Sequence, residues 1–483
     1  MASNDARFFG IPRQATKSQP AAGCWVPGKV PDFSGPRMSN QQTTANPCFT
    51  DSSRGGNEDS SKAQNSSGML VFCCMARARQ NGKRDAKGAG SPRPADGNGG
   101  RPVAVATSSY VNIIEALLEN GSMSRSELAS SIGLSRSALT EMSRVLIQHQ
   151  FVEESPSVID KQRKGRPSIM LSLNARYGYF VGVGLTEDPP LMALTDCHGN
   201  ILAERELGMV MEPEAVAAAI ARGIPHLTRA SNISSEKVVG IGVALSGHVD
   251  HARGMCLHSN LLGWHNVPIA KIVERVTGMP TYIDNDAHAV ALGQKLFGLA
   301  RELKSFMVVM LGKKIGGGSY MQGRLYRGHT GAAGEIGHCT VAPGGPRCEC
   351  GKEGCVDVFA SSSALLRRAA ELDLKVNAIG ELEALAAQGE PKAIELLSHA
   401  GSALGLAVAN SIQMNNPELV LFADLVGFGD GVFIASARQA IESNIMPHLL
   451  STTRLEFKSV EMDFLVRGAA SIAAHQFLIE RAG

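Results

Sequence analysis

The pattern of apolar and polar positions changes twice along the 483-residue chain. Residues 1–104 are rich in Ser, Gly, Asn, Gln and Pro, and sustain neither a period of 2 nor one of 3.6, which reads as a disordered tail. Helical spacing begins at Tyr110–Asn120, where Val111, Ile114, Leu117 and Leu118 share a face. Ser124, with Glu127 three residues on, forms a capping box for a second short helix, and Gly133 marks a turn. Ser135–Gln150 reads as a third helix with Leu139, Met142, Val145 and Leu146 inward and Arg136, Ser137, Thr140, Glu141 and Arg144 outward. The run Phe151-Val152-Glu153-Glu154 and the alternating Ile169, Leu171 and Leu173 predict two strands around the basic loop Lys161–Pro167. Residues 105–175 therefore read as a winged helix-turn-helix domain, whose second paired helix enters the major groove. The expected DNA contacts are Arg136, Ser137, Thr140 and Arg144 on the helix and Lys161, Arg163, Lys164 and Arg166 in the wing. They concentrate positive charge on the face that meets phosphates.

From Tyr177 onward, strands and helices alternate. Phe180–Leu185 and Leu191–Thr195 read as strands, and Pro213–Ala230 as a helix with Val216, Ala219, Ile220 and Ile224 inward, kinked or cut short at Pro225. Val238–Leu245 is a Gly-interrupted strand, Ile269–Thr277 a helix, Thr281–Ile283 a strand and Ala287–Phe297 a helix. Ser305–Leu311 is a strand followed by Gly316-Gly317-Gly318, and Leu365–Ala387 and Pro391–Ile412 are mostly helical. The strand Leu419–Phe422, the helix Phe433–Ile445, the segment Arg454–Ser459 and a closing helix at Ala469–Ile479 complete an α/β domain over residues 176–483, large enough for two lobes.

Composition narrows the function classes. The net charge of +2 argues against a chain that coats nucleic acid nonspecifically, and leaves room for one small DNA-reading module. The tail holds 14 Lys/Arg against 7 Asp/Glu, so its local surplus is +7 and the remainder carries −5. No run approaches the roughly 18 apolar residues of a spanning helix, and the start lacks the basic-then-apolar order of a secretory signal. The expectation is a cytoplasmic, nucleoid-associated protein without a membrane partner. Ten cysteines, unevenly spaced, are not a disulfide framework. His338, Cys348, Cys350 and Cys355 instead offer one imidazole and three thiolates, with Pro343-Gly344-Gly345-Pro346, Gly351 and Gly354 as tight turns between them. That set suits tetrahedral zinc in a closed, structural site over residues 338–355. Cys339 is expected to point away.

Glu335 lies three residues before His338. Asn285 and Asp286 sit where a strand ends and a helix begins, and Asn260 adds another amide. Carboxylates, amides and imidazoles of this kind suit the hydroxyls of a sugar. The runs Ile241–Asp250, Asn260–Trp264, Asn285–Ala287, Gly323–Gly328, Ala333–His338, Cys348–Ser361 and Gly468–Ala470, in this order, resemble the ROK family of repressors and sugar kinases. The winged helix ending in Gly165-Arg166-Pro167 looks like that of the family's repressors. The resemblance implies a two-lobed actin-like ATPase domain of ribonuclease-H-like topology, with sugar contacts at Asn260, Asn285, Asp286, Glu335 and His338. Asp357 stands where the family usually has Glu.

In the family's kinases, Asp286 would be the general base. The nucleotide elements depart from the kinase pattern. Gly184–Asp188 replaces Asp-x-Gly-Gly-Thr, Gly312-Lys313-Lys314-Ile315-Gly316-Gly317 replaces Gly-Thr-Gly-Ile-Gly-Gly, and Leu421-Phe422-Ala423-Asp424-Leu425 replaces a Gly-rich adenosine loop. Phosphoryl transfer is chiefly positioning and charge neutralisation, so losing the cradle removes it. The resulting expectation is a sugar-responsive repressor rather than an enzyme, with operator DNA and a sugar or sugar derivative as partners. The alternative is an ATP-dependent sugar kinase. A homodimer or homotetramer would read a palindromic operator.

Overall fold

A computed structural model describes residues 107–156, 169–186, 189–208, 211–460 and 463–482, all within the compact unit Gly97–Gly483. The expected tail and the wing residues Lys161, Arg163, Lys164 and Arg166 lie outside the described residues.

The first domain contains α1 (Thr107–Asn120), β1 (Met123–Ser124), α2 (Arg125–Ile132), α3 (Arg136–Gln148), β2 (Val152–Pro156) and β3 (Ile169–Leu173). The capping box is present: the Ser124 hydroxyl accepts from the Glu127 amide, and the Glu127 carboxylate accepts from the Ser124 amide at 2.9 Å. Gly133, at φ 70°, ends α2 in the left-handed conformation. Ser135 caps α3, and Leu139 and Leu146 are buried as expected. Val145 is not: it is 36% exposed, and Ser143 takes the inward place. The 3.6-residue period aligns positions 139, 143 and 146, and 145 falls beside that stripe. Strands β2 and β3 pair antiparallel from Val152–Leu173 to Pro156–Ile169. The unforeseen two-residue β1 joins the far edge of β3; so short a segment carries no periodic signal.

The second domain opens with β4 (Tyr179–Gly184), β5 (Leu191–Thr195), β6 (Ile201–Glu206), α4 (Pro213–Ala230), β7 (Val238–Leu245), β8 (His248–Asp250), β9 (Met255–Ser259), β10 (Trp264–Val267), α5 (Ile269–Thr277), β11 (Thr281–Asn285) and α6 (Asp286–Phe297). The main sheet has the order β11-β7-β4-β5-β6: an antiparallel meander followed by two parallel strands. Helix α4 runs through Pro225 rather than stopping there. The polar strands β6 and β8–β10 had no sequence expectation; the last three form a small antiparallel sheet beside the main one.

The other lobe repeats the plan with β12 (Phe306–Leu311), β13 (Ile315–Met321), β14 (Arg324–Tyr326), α7 (Asp357–Ala360), α8 (Ser362–Glu371), α9 (Ile379–Ala387), α10 (Pro391–Asn415), β15 (Leu419–Asp424), α11 (Val432–Asn444), α12 (Pro447–Leu450), β16 (Arg454–Ser459) and α13 (Asp463–Ala482). Its sheet order is β14-β13-β12-β15-β16, again a meander followed by parallel strands. Gly316-Gly317-Gly318 lies inside β13, not in a loop. A side chain at Gly318 would strike the backbone of Ala287 on α6, so the glycines let the helix lie directly on the strand. The mostly helical segment Leu365–Ala387 holds most of α8 and all of α9, with Asp373 at φ 60° between them. Helix α13 returns to the first lobe, and Gly182 and Gly242 admit its backbone against β4 and β7. The two similar sheets form the ribonuclease-H-like, actin-type pair of lobes.

The winged helix docks by α1 against α6 and α13, and its core is continuous with theirs. The Phe151 and Tyr177 rings stack with centroids 4.2 Å apart at the connection between the domains. His198 contacts the Leu173 carbonyl at 2.7 Å.

Candidate ligand cavity, metal cluster and nucleic-acid interface

A cavity of about 320 Å³ opens between the lobes, and Asn260, Asn285, Asp286, Glu335, His338 and Asp357 all line it. Helix α6 is aimed at it by its cap. Asn285 Oδ1 accepts from the Ala287 and His288 amides at 2.9 and 3.3 Å, and its Nδ2 donates to the Gly247 carbonyl at 3.0 Å. Asn285 thus serves as a cap and lines the cavity with what remains of its side chain. Asp286 is 6% exposed. Its Oδ2 accepts from the Thr186 hydroxyl at 2.9 Å and its Oδ1 from the Ala287 amide at 2.8 Å. Burial pushes its pKa above the ordinary carboxylate value, and these two bonds offset the effect only in part.

Behind the cap lies a buried ionic network that the sequence reading did not single out. Asp284 Oδ1 meets His288 Nδ1 at 2.9 Å, and Asp284 Oδ2 accepts from Arg327 Nε at 2.7 Å. His288 Nε2 meets the Ala333 carbonyl at 3.0 Å. Burial alone would raise the pKa of Asp284, but His288 and Arg327 outweigh it and hold the group below its ordinary range. The available signal was an acid and a histidine four residues apart across a strand–helix junction, with a downstream arginine.

The other side of the cavity is bonded within the chain. Asp357 Oδ1 accepts from the Ile315 amide at 2.9 Å, and the Lys314 ammonium reaches Asp357 Oδ2 at 3.3 Å and Glu349 Oε2 at 2.8 Å. Burial opposes the charge on Lys314, but the two carboxylates outweigh it and raise its pKa. Asp424 accepts from the amides of Val426, Gly427 and Gly429 at 3.0, 2.9 and 3.1 Å.

His338, Cys348, Cys350 and Cys355 bring four donor atoms within 4.8 Å of one another, an arrangement that could hold a metal ion. Cys348 Sγ lies 3.6 Å from His338 Nδ1, and Cys350 Sγ lies 3.6 Å from Cys355 Sγ. His338 Nε2 is on the other side of the ring, 4.0 Å from Glu335 Oε2. One imidazole thus spans cluster and cavity. Cys339 stays outside the cluster and exposed.

On α3 the side chains of Arg136, Ser137, Thr140, Glu141 and Arg144 are exposed. The Thr140 hydroxyl donates to the Arg136 carbonyl at 2.7 Å, which leaves its methyl group directed elsewhere. An Arg125–Glu154 ion pair ties the start of α2 to the wing strand β2.

Residues 181–476 match the model of the ROK family, and the chain belongs to that family. Residues 107–164 match the model of the MarR family. The xylose repressor of Bacillus spizizenii is 26% identical over 367 residues, covering 76% of this chain and 94% of the relative. The glucokinase of Thermotoga maritima is 31% identical over 253 residues, covering 49% of this chain and 80% of the relative. Among solved structures, a ROK family transcriptional regulator described as a homolog of E. coli MLC is 25% identical with a TM-score of 0.66, covering 78% of this chain and 98% of its own. No helix among the described residues is long and apolar enough to cross a membrane.

Proposed function

We propose that this chain is a sugar-responsive transcriptional repressor that reads duplex operator DNA with α3 and the wing and holds a sugar or sugar derivative in the interlobe cavity. The observation that carries this reading is that side chains at the positions of the kinase nucleotide elements are bonded within the chain. Thr186 stands where the family's kinases have a phosphate-loop glycine, and its hydroxyl bonds Asp286. Lys314 fills the second loop between Glu349 and Asp357. Asp424 takes three amides of the third. The sugar side retains Asn260, Asp286, Glu335 and His338 around open space. This supports binding without phosphoryl transfer. The similarity to xylose repressors over three quarters of the chain supports the same reading. The expected location is the cytoplasm at the nucleoid, as a symmetric homodimer or homotetramer on a palindrome.

The four-ligand cluster fits zinc. With zinc–sulfur bonds of about 2.3 Å, the sulfur–sulfur edge of a tetrahedron is about 3.8 Å, close to the 3.6 Å between Cys350 and Cys355. Bound through Nδ1, His338 would have its ring orientation fixed and Nε2 presented to a sugar hydroxyl. Four protein ligands leave no open position, so the role is structural. The test is incubation with ATP, magnesium and a panel of aldoses, alongside calorimetry with the same sugars. Binding heats without ADP agree with the proposal. ADP release at enzymatic rates makes the protein a sugar kinase with Asp286 as general base and overturns it.

A further inference from the structure

Lys295 sits one turn from the end of α6 and is 4% exposed, although nothing in the ligand cavity uses it. Its ammonium donates to the carbonyls of Arg301 and Leu303 at 2.8 and 3.3 Å, gathering the loop that follows the helix. Carbonyls take two of its three hydrogens and leave its charge uncompensated, and a buried charge needs a counter-charge. No carboxylate forms an ion pair with Lys295 among the described residues, and Glu119, on α1 of the other domain, lines with it the same interdomain cavity of about 690 Å³. Each acts on the other electrostatically: burial pushes both toward their neutral forms, and their mutual attraction opposes it. The loop that Lys295 gathers also touches α1. The Arg301 guanidinium lies against Gly121, which follows α1 at φ 71° and leaves room for it.

At the other end of α6, Asn285 and Asp286 form the ligand cavity. Every residue from Asp286 to Leu296 is buried. A helix so enclosed moves as a unit, and its nine-residue span from Asp286 to Lys295 is about 13 Å. A shift at the cavity is therefore delivered to the α1 junction. We propose that Lys295 is the positioning residue through which occupancy of the interlobe cavity sets the docking of the DNA-binding domain, with Glu119 as its partner. This rests on the reading of the cavity as the effector site. A switch requires two states of different ligand affinity; in the docked one, Glu119 and Lys295 attract each other across the shared cavity.

The test uses the full chain with Lys295→Met, Glu119→Gln and the double variant. Without ligand, amide hydrogen exchange across residues 107–121 should quicken about tenfold or more in each single variant. The double variant should go no further, and exchange across residues 338–355 should stay as in wild type. An operator is then selected from random duplexes by the wild-type protein, with D-xylose and D-glucose as probes. A probe that binds wild type should bind the variants with the same Kd. Its effect on operator affinity should fall from the 5- to 150-fold range usual for coupled sites to roughly none. Unchanged exchange over residues 107–121 in both single variants overturns the proposal, as does a retained probe effect on operator affinity. If neither probe binds wild type, the effector reading is what fails for those sugars, and the ligand-free exchange decides the role of Lys295 by itself.

Discussion

Asp286→Asn separates a ligand contact from a helix cap. In the wild type the carboxylate takes one bond from the Ala287 amide and one from the Thr186 hydroxyl. The asparagine keeps its oxygen on the amide and turns its nitrogen toward Thr186, whose hydroxyl can rotate to accept. The fold therefore exchanges charged for neutral hydrogen bonds at a cost of roughly 1 kcal/mol. The ligand side loses a charged acceptor. Hydrogen bonds to charged groups contribute about 1.5–3 kcal/mol, and each 1.4 kcal/mol is tenfold in affinity, so Kd should rise roughly 10- to 150-fold. The assay is calorimetry of both proteins with an aldose panel, paired with operator binding in the absence of sugar, which should be preserved. The pH dependence gives a second check. Burial raises the pKa of Asp286, so wild-type affinity should fall as pH falls through that raised value, whereas the weaker affinity of the variant should be flat there. If the variant binds sugar within threefold of wild type, Asp286 is a cap and nothing more.

Removing metal with a chelator should loosen the loop over residues 338–355 and weaken sugar binding. Freshly purified protein with far less than one zinc per chain and undiminished sugar affinity would refute the structural role. Arg327→Met leaves buried Asp284 with His288 and the Asn285 amide, and its cost should lie near the low end of the roughly 3–5 kcal/mol for a broken buried pair, because Arg327 is part exposed; urea unfolding measures it. The pKa of Asp284 is depressed in the folded state. Its stabilising contribution is thus present above the unfolded value of about 3.9 and is lost as pH falls through the folded one. That acid-side loss should shrink in the variant, and an unchanged slope would argue against the network. Arg136→Ala and Arg144→Ala should each cost about 1–3 kcal/mol of operator affinity if they read bases, so equal affinity of the double variant and wild type in a gel-shift titration would exclude α3. Thr186→Gly uncovers Asp286 but leaves the Lys314 and Asp424 bonds intact, so a coupled assay should still find no ADP.

The helix-turn-helix was legible because its determinants are local: Ser124 and Glu127 cap within one turn, and Gly133 ends the same helix. The His/Cys cluster was legible for the same reason, its four candidate ligands lying within 18 positions. Asn260, Asn285, Asp286, Glu335, His338 and Asp357 could be nominated by residue type, and the fold gathers them around one cavity. Their individual bonding could not be read, because it is tertiary. Asp357 spends its oxygens on Ile315 and Lys314, and the partner of Asp286 is 100 residues away at Thr186. Gly316-Gly317-Gly318 carried no element in the sequence for a related reason: their place inside a strand follows from a tertiary contact, in which they permit the strand to touch the backbone of α6. Val145 went astray because a lone apolar residue beside a helical stripe is indistinguishable by type from one within it.

A cleft that closes on a sugar and a nucleotide becomes a sensor most readily if the nucleotide's share of the contacts is supplied internally. Deleting the phosphate loops alone would leave amides, a carboxylate and a charged cleft wall uncompensated, and buried groups of that kind destabilise the closed arrangement. In this chain a hydroxyl bonds Asp286, an ammonium lies between Glu349 and Asp357, and the Asp424 carboxylate takes three amides. On the proposed reading, one ligand class is left to influence lobe closure. Helix α6 begins at the cavity and ends against the DNA-binding domain. On the proposed reading, the free energy of sugar binding is available to favour one docking of that domain over another. Such a bias requires only that the sugar prefer one lobe arrangement, since a ligand with equal affinity for both shifts neither.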